Sequence, residues 1–150
     1  RICLVGSEMC IRDSYKDLAV HLSSRNEVHK TLKILKEKKF KLAILSNGTP
    51  SLLNELVKSN NLENLFDDIF SIEEVGVYKP NSKVYDMPVK KYKIKKNEIA
   101  FLSANTWDVS GGGNYGYQSI WVNRNNNIFD NLDFKPNFEI KDLSGLLNRF

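Results

Sequence analysis

Three short segments hold the side chains best able to do chemistry: Ser46-Asn47-Gly48, Tyr78-Lys79-Pro80 and Ser103-Ala104-Asn105-Thr106-Trp107-Asp108. The first and last each close an apolar run, so each falls where a strand hands over to a helix. Ser46 offers a hydroxyl and, with Asn47 and Gly48, backbone N–H groups near a helix start, a cradle for a carboxylate or phosphoryl group. Alone, the same three residues also read as a plain strand-to-helix cap. Lys79 offers a fixed positive charge that could keep an aspartate ionised and balance charge as it develops. Asp108 could pair with Lys79 and position a water, while Ser103 and Asn105 could hydrogen-bond a nucleophilic carboxylate or that water. Trp107 adds an apolar wall and an N–H.

Positioning these groups takes alternating strands and helices. Ser24 followed by Glu27 is a capping-box pattern, and Val28, Leu32 and Leu35 share one face, so Ser24 to Lys39 is predicted as an amphipathic helix. A strand over Lys41 to Leu45 follows. Thr49 then caps a helix whose first turn takes Pro50 and whose buried stripe is Leu52, Leu53, Leu56 and Val57. Further strands are expected at Ile69 to Ser71, Ile99 to Leu102, Ser119 to Val122 and Phe138 to Ile140. Pro80 is expected to open a helix bearing Val84 and Tyr85, a second helix runs from about Trp107 to Tyr115, and Leu143 to Leu147 closes the chain. This rhythm predicts an α/β fold, a parallel sheet covered on both faces, with the three segments just past strand C-termini. Pro88 and the run Gly111-Gly112-Gly113 fall inside predicted helices, where local irregularity is expected.

Composition narrows the function classes. With 150 residues and 41% hydrophobic content, the chain can bury one core. Its apolar runs are strand-sized, far short of the roughly 20 residues of a spanning helix, and no secretory signal is evident, so a cytoplasmic location is the default. The net charge of +4 comes from 17 Lys and 5 Arg scattered over polar faces. Together with 17 Asn it reads as coding bias and a solvated surface, giving neither a nucleic-acid nor a membrane partner. Cys3 and Cys10 lack metal-ligand spacing, and His21 and His29 read as surface residues.

The first 14 residues differ from the rest. Arg1 to Ser14 contains both cysteines and neither Lys nor Asn, although those two types supply 34 of the other 136 residues. Cys3 to Asp13 also resembles a peptide that recurs as translated sequencing-adapter read-through. Residues 1–14 are therefore expected to be non-native, with the natural chain entering near Tyr15 and continuing as one domain over 15–150. The alternative reading is a genuine strand from Ile2 to Val5.

Taken together, the three segments resemble the later catalytic segments of haloacid dehalogenase-like hydrolases. The likeness extends to the L-2-haloacid dehalogenases through Val84-Tyr85, Tyr117 and Trp121-Val122-Asn123-Arg124, and covers Tyr15 to about Leu147. It implies a Rossmann-like three-layer α/β/α core, with the first strand and most of a helical cap missing here. It also implies that Ser46 and Asn47 hold a substrate carboxylate beside Trp107. Lys79, Ser103, Asn105 and Asp108 would organise nucleophile and water, and Tyr85 would be a supporting hydroxyl. The implied reaction is displacement of halide from a short 2-haloalkanoate by an aspartate, then ester hydrolysis, without cofactor or metal. Phosphatase relatives carry a second acid four residues before the Asp108 position, where Mg²⁺ needs carboxylate oxygens; Ala104 stands there instead. The resemblance leaves a homodimer open. The nucleophilic aspartate of the first strand is not found, for neither Asp13 nor Asp17 follows a clear apolar strand in an Asp-x-x-Gly-Thr setting. A noncatalytic remnant and a phosphatase-like hydrolase stand as alternatives.

Overall fold

The computed structural model describes residues 2–6 and 26–150. Six strands form one sheet in the order β3-β2-β1-β4-β5-β6. They are β1 (Ile2–Gly6), β2 (Lys41–Ser46), β3 (Asp68–Ser71), β4 (Ile99–Ser103), β5 (Gln118–Val122) and β6 (Phe138–Ile140). Every pairing is parallel. Among the described residues four α-helices connect or flank them: α1 (Asn26–Glu37), α2 (Pro50–Ser59), α3 (Ser82–Tyr92) and α4 (Thr106–Tyr115). The α/β expectation thus holds, and a 3₁₀ turn, Leu143–Asn148, replaces the closing helix read from sequence.

Strand residues bury alternately on two faces, as parallel strands between helical layers do. On one face Leu42, Ala100, Leu102, Ile120 and Val122 pack with Val28, Leu32 and Leu35 of α1 and with Leu143 and Leu146. On the other Ala43, Leu45, Ile99 and Phe101 pack with Val84 and Tyr85 of α3 and with Tyr117. The predicted apolar stripe of α1 is therefore the one buried, while Ser24 of its expected capping box lies outside the described residues. Thr49 caps α2, its hydroxyl accepting from the Leu52 N–H at 3.5 Å, with Pro50 in the first turn. His29 is half-buried rather than at the surface, its ring nitrogen bonded to the Asn60 carbonyl at 2.9 Å.

Three expectations are corrected. Pro80 does not open α3; Asn81 caps it by accepting the Lys83 N–H at 3.0 Å, and Pro80 lies in the preceding turn, after a cis peptide. Pro88 does not interrupt α3, which runs through it with Met87 and Pro88 buried. The lost backbone bond is local, whereas burial holds the helix as a whole. Nor does the glycine run break α4. A Cβ at Gly112 would lie 2.5 Å from Phe101, and one at Gly113 would collide with Phe134, so close packing requires the bare backbone there.

The slot expected to lack its strand is filled. Ile2–Gly6 lies between β2 and β4, with Gly6 opposite Leu45 and Val5 opposite Leu102. The run Ile2-Cys3-Leu4-Val5 is apolar and partly β-branched, which suits a central parallel strand. Cys10, Asp13, Asp17 and His21 lie outside the described residues. Among the described residues, no helix is long and apolar enough to cross a membrane.

Candidate functional site

The C-terminal ends of β2 and β4 flank the end of β1, and the turn before α3 folds over the same edge. Ser46 closes β2 and Ser103 closes β4, both buried. Lys79 comes from the turn and Asp108 from the first turn of α4, and the side chains meet: Lys79 Nζ donates to Asp108 Oδ2 at 2.7 Å. Tyr85, on α3, donates its hydroxyl to Asp108 Oδ1 at 2.9 Å. Lys79 Nζ also donates to the Leu45 carbonyl at 3.2 Å. Lys79 is 5% exposed and Asp108 0%. A charge pair this deep persists only when further hydrogen bonds offset desolvation, and Tyr85 and the Leu45 carbonyl supply them.

Burial pushes the Lys79 ammonium below its ordinary pKa, opposed by the charge of Asp108 and its hydrogen bond. Burial likewise drives the Tyr85 hydroxyl far above its ordinary value, helped by the adjacent Asp108 charge and the bond to it. Tyr117, buried beside it, is raised by burial and by Tyr115 and Asp86. These tyrosines contribute to the alkaline behaviour, as do Tyr92 and Tyr115, which burial also raises. The unfolded chain ionises them from about pH 10 while the folded chain does not, so it binds fewer protons and stability falls as pH rises above that point. Each buried tyrosine should remove about 1.4 kcal/mol per pH unit there. Lys79 acts in the opposite sense below about pH 10.5, because its folded form releases its proton first. Urea midpoints that decline from pH 10 to 11 in the parent, and less steeply in Tyr85→Phe, are the expected result.

The other predicted residues gather around this cluster, and the Asn105 carbonyl accepts the Asp108 backbone N–H at 3.1 Å. Asn47 Oδ1 accepts the Lys79 backbone N–H at 3.1 Å, tying the first segment to the second. Ser46 Oγ accepts the Gly48 N–H at 3.0 Å, so the glycine N–H of the cradle read from sequence is satisfied within the segment while the Ser46 hydroxyl keeps its proton to donate. Ser103 Oγ accepts the Asn105 N–H at 3.2 Å, and Asn105 is the N-cap residue of α4. Trp107 is partly exposed, its ring centre 5.9 Å from Lys79 Nζ, and Phe101 faces the same ammonium at 5.7 Å. Two contacts escaped sequence reading: the Leu45 carbonyl, a backbone group no motif marks, and Ser71, whose Oγ donates to the Gly48 carbonyl at 2.8 Å. An open cleft of about 740 Å³ runs beside Tyr85 and Trp107, but neither Lys79 nor Asp108 lines it.

A buried lysine–aspartate pair thus stands at the C-terminal edge of a parallel sheet, with serines closing the strands on either side of the central one. The chain belongs to the haloacid dehalogenase-like hydrolases, whose family profile matches residues 7–122. Within that class, the (S)-2-haloacid dehalogenase of Pseudomonas sp. (strain YL) is 33% identical over 139 residues, covering 93% of this chain and 60% of that protein. Haloacetate dehalogenase H-2 of Moraxella sp. (strain B) is 32% identical over 146 residues, 97% of this chain and 63% of that protein. The solved L-2-haloacid dehalogenase RSc1362 is similar with a TM-score of 0.80 at 32% identity, over 83% of this chain and 55% of its own. The chain spans about 60% of the length of these curated relatives.

Proposed function

We propose that the full protein hydrolyses short L-2-haloalkanoic acids through an aspartyl ester, and that residues 15–150 supply the part of the site that organises nucleophile and water. The observation that carries this reading is the state of Asp108. Both its carboxylate oxygens already accept charge-assisted or phenolic bonds, from Lys79 at 2.7 Å and Tyr85 at 2.9 Å. Such a carboxylate is arranged to balance an ammonium rather than to bind Mg²⁺, and Ala104 brings no second acid. The similarity to 2-haloacid dehalogenases supports the same branch.

The nucleophile belongs at the end of the strand between β2 and β4. In this chain Gly6 occupies that point, level with Leu45, and has no carboxylate. In the full protein an aspartate stands there, a few ångströms from the strand ends that carry Ser46 and Ser103. Its carboxylate oxygen forms a bond to the substrate α-carbon as the carbon–halogen bond breaks and halide leaves. Water then adds to the ester carbonyl, the acyl C–O bond breaks, and the 2-hydroxyacid and one proton are released. Lys79 keeps the nucleophile ionised, Asp108 holds Lys79, and Ser103 and Asn105 orient carboxylate and water. Ser46 and Asn47 receive the substrate carboxylate, which displaces the internal Ser46–Gly48 contact, and Trp107 walls the pocket.

Halide release from L-2-chloropropionate tests this. The full gene product should release chloride with EDTA present, and the 150-residue chain none. Phosphate release that requires Mg²⁺, without halide release, would establish the phosphatase reading in its place.

A further inference from the structure

Gly111 stands three residues after Asp108, on the same face of α4. A Cβ there would lie 2.6 Å from the Tyr85 hydroxyl oxygen and 2.8 Å from Pro80 Cβ. These atoms belong to the two arms that reach Asp108. Tyr85 donates to Oδ1, and Pro80 directly follows Lys79, which donates to Oδ2. We propose that Gly111 is a positioning residue for the Asp108 carboxylate: its bare Cα lets α4 approach the Lys79-Pro80 turn and the Tyr85 hydroxyl closely enough for both to bond one carboxylate.

Neither neighbour can yield cheaply. The Pro80 ring is fused to the backbone, and the Tyr85 ring is held edge-on by Phe101 and Tyr117, at 5.7 and 6.0 Å between centres. Helix propensity favours alanine at every position of the run, so glycine at 111 opposes local preference. Gly112 and Gly113 oppose it too, but a Cβ at either would first meet Phe101 or Phe134 and not Tyr85 or Pro80. The inference rests on the dehalogenase reading for what Asp108 does in turnover, while its test needs no turnover.

Urea unfolding of the 150-residue chain gives that test, with Gly111→Ala, Tyr85→Phe and the two combined. Tyr85→Phe alone deletes a hydrogen bond and lowers the midpoint. In the Gly111→Ala background the same change removes the clashing oxygen, so the double variant should unfold at higher urea than Gly111→Ala. In a Gly113→Ala background, Tyr85→Phe should lower the midpoint as it does alone. A second readout is the ¹³Cζ signal of Tyr85, identified by its loss in Tyr85→Phe. In the parent it should hold its protonated position at about pH 11, and in Gly111→Ala it should shift as the Asp108 bond lengthens. A double variant no more stable than Gly111→Ala, including the case where neither folds, overturns the proposal. So does a Tyr85 signal that Gly111→Ala leaves unmoved. Failure of the full protein to release halide would count against the function proposed above and leave this cycle untouched.

Discussion

Replacing Lys79 with methionine is expected to lower the stability of the fold by about 3–5 kcal/mol, read as a fall in the urea midpoint. Asp108 is fully buried, and without the ammonium its charge would lean on the Tyr85 hydroxyl, too little to offset its desolvation. The loss measures an orphaned charge and not the worth of the pair. The combined variant Lys79→Met, Asp108→Leu should therefore recover most of it, since exchanging a buried pair for apolar groups of similar volume is neutral or stabilising. Equal midpoints for the single and double variants would mean that the pair is not buried as described.

The second large effect lies in catalysis. In the full gene product, Asp108→Asn should lower kcat for L-2-chloropropionate by about 10²–10³-fold while leaving KM within a few-fold. The asparagine keeps the shape and a carbonyl for either Lys79 or Tyr85, but removes the charge that fixes the ammonium where the nucleophile needs it. The substrate carboxylate is assigned to Ser46 and Asn47, so binding should be spared. A rise in KM with kcat unchanged, seen in steady-state halide release, would place Asp108 in substrate binding instead.

Much of the scaffold is legible in the sequence because its signals are periodic and local. Val28, Leu32 and Leu35 recur at helical spacing and are all buried, and Thr49 before Pro50 marks a helix start that the structure keeps. The two misread helix interiors share one cause. Pro88 and Gly111-Gly112-Gly113 look costly to a helix when only their neighbours in sequence are weighed, and what overrides that cost is packing against Phe101, Phe134 and the sheet. The contacts to Asp108 span 29 residues to Lys79 and 23 to Tyr85. No spacing rule reaches so far: the charges of Lys79 and Asp108 suggest their pairing, and resemblance adds Tyr85. At Ser46 the sequence shows a hydroxyl but not its neighbour: Oγ accepts the Gly48 N–H, which occupies that N–H while the hydroxyl keeps its own proton to donate. The strand at Ile2–Gly6 shows that compositional oddity and strand-forming capacity are separate properties, since an apolar run fills a central slot whatever its origin.

The central claim is that Lys79, Asp108 and Tyr85 serve an aspartate at the end of the strand between β2 and β4. Its most direct test is to mix the full gene product, in excess, with L-2-chloropropionate, quench within one turnover and map the peptides by mass. The expected result is a propionate unit esterified to one aspartate in that strand, accumulating when the water-positioning residues Ser103 or Asn105 are replaced. Halide released with no ester on any aspartate at that position, in the parent or in those variants, would contradict it.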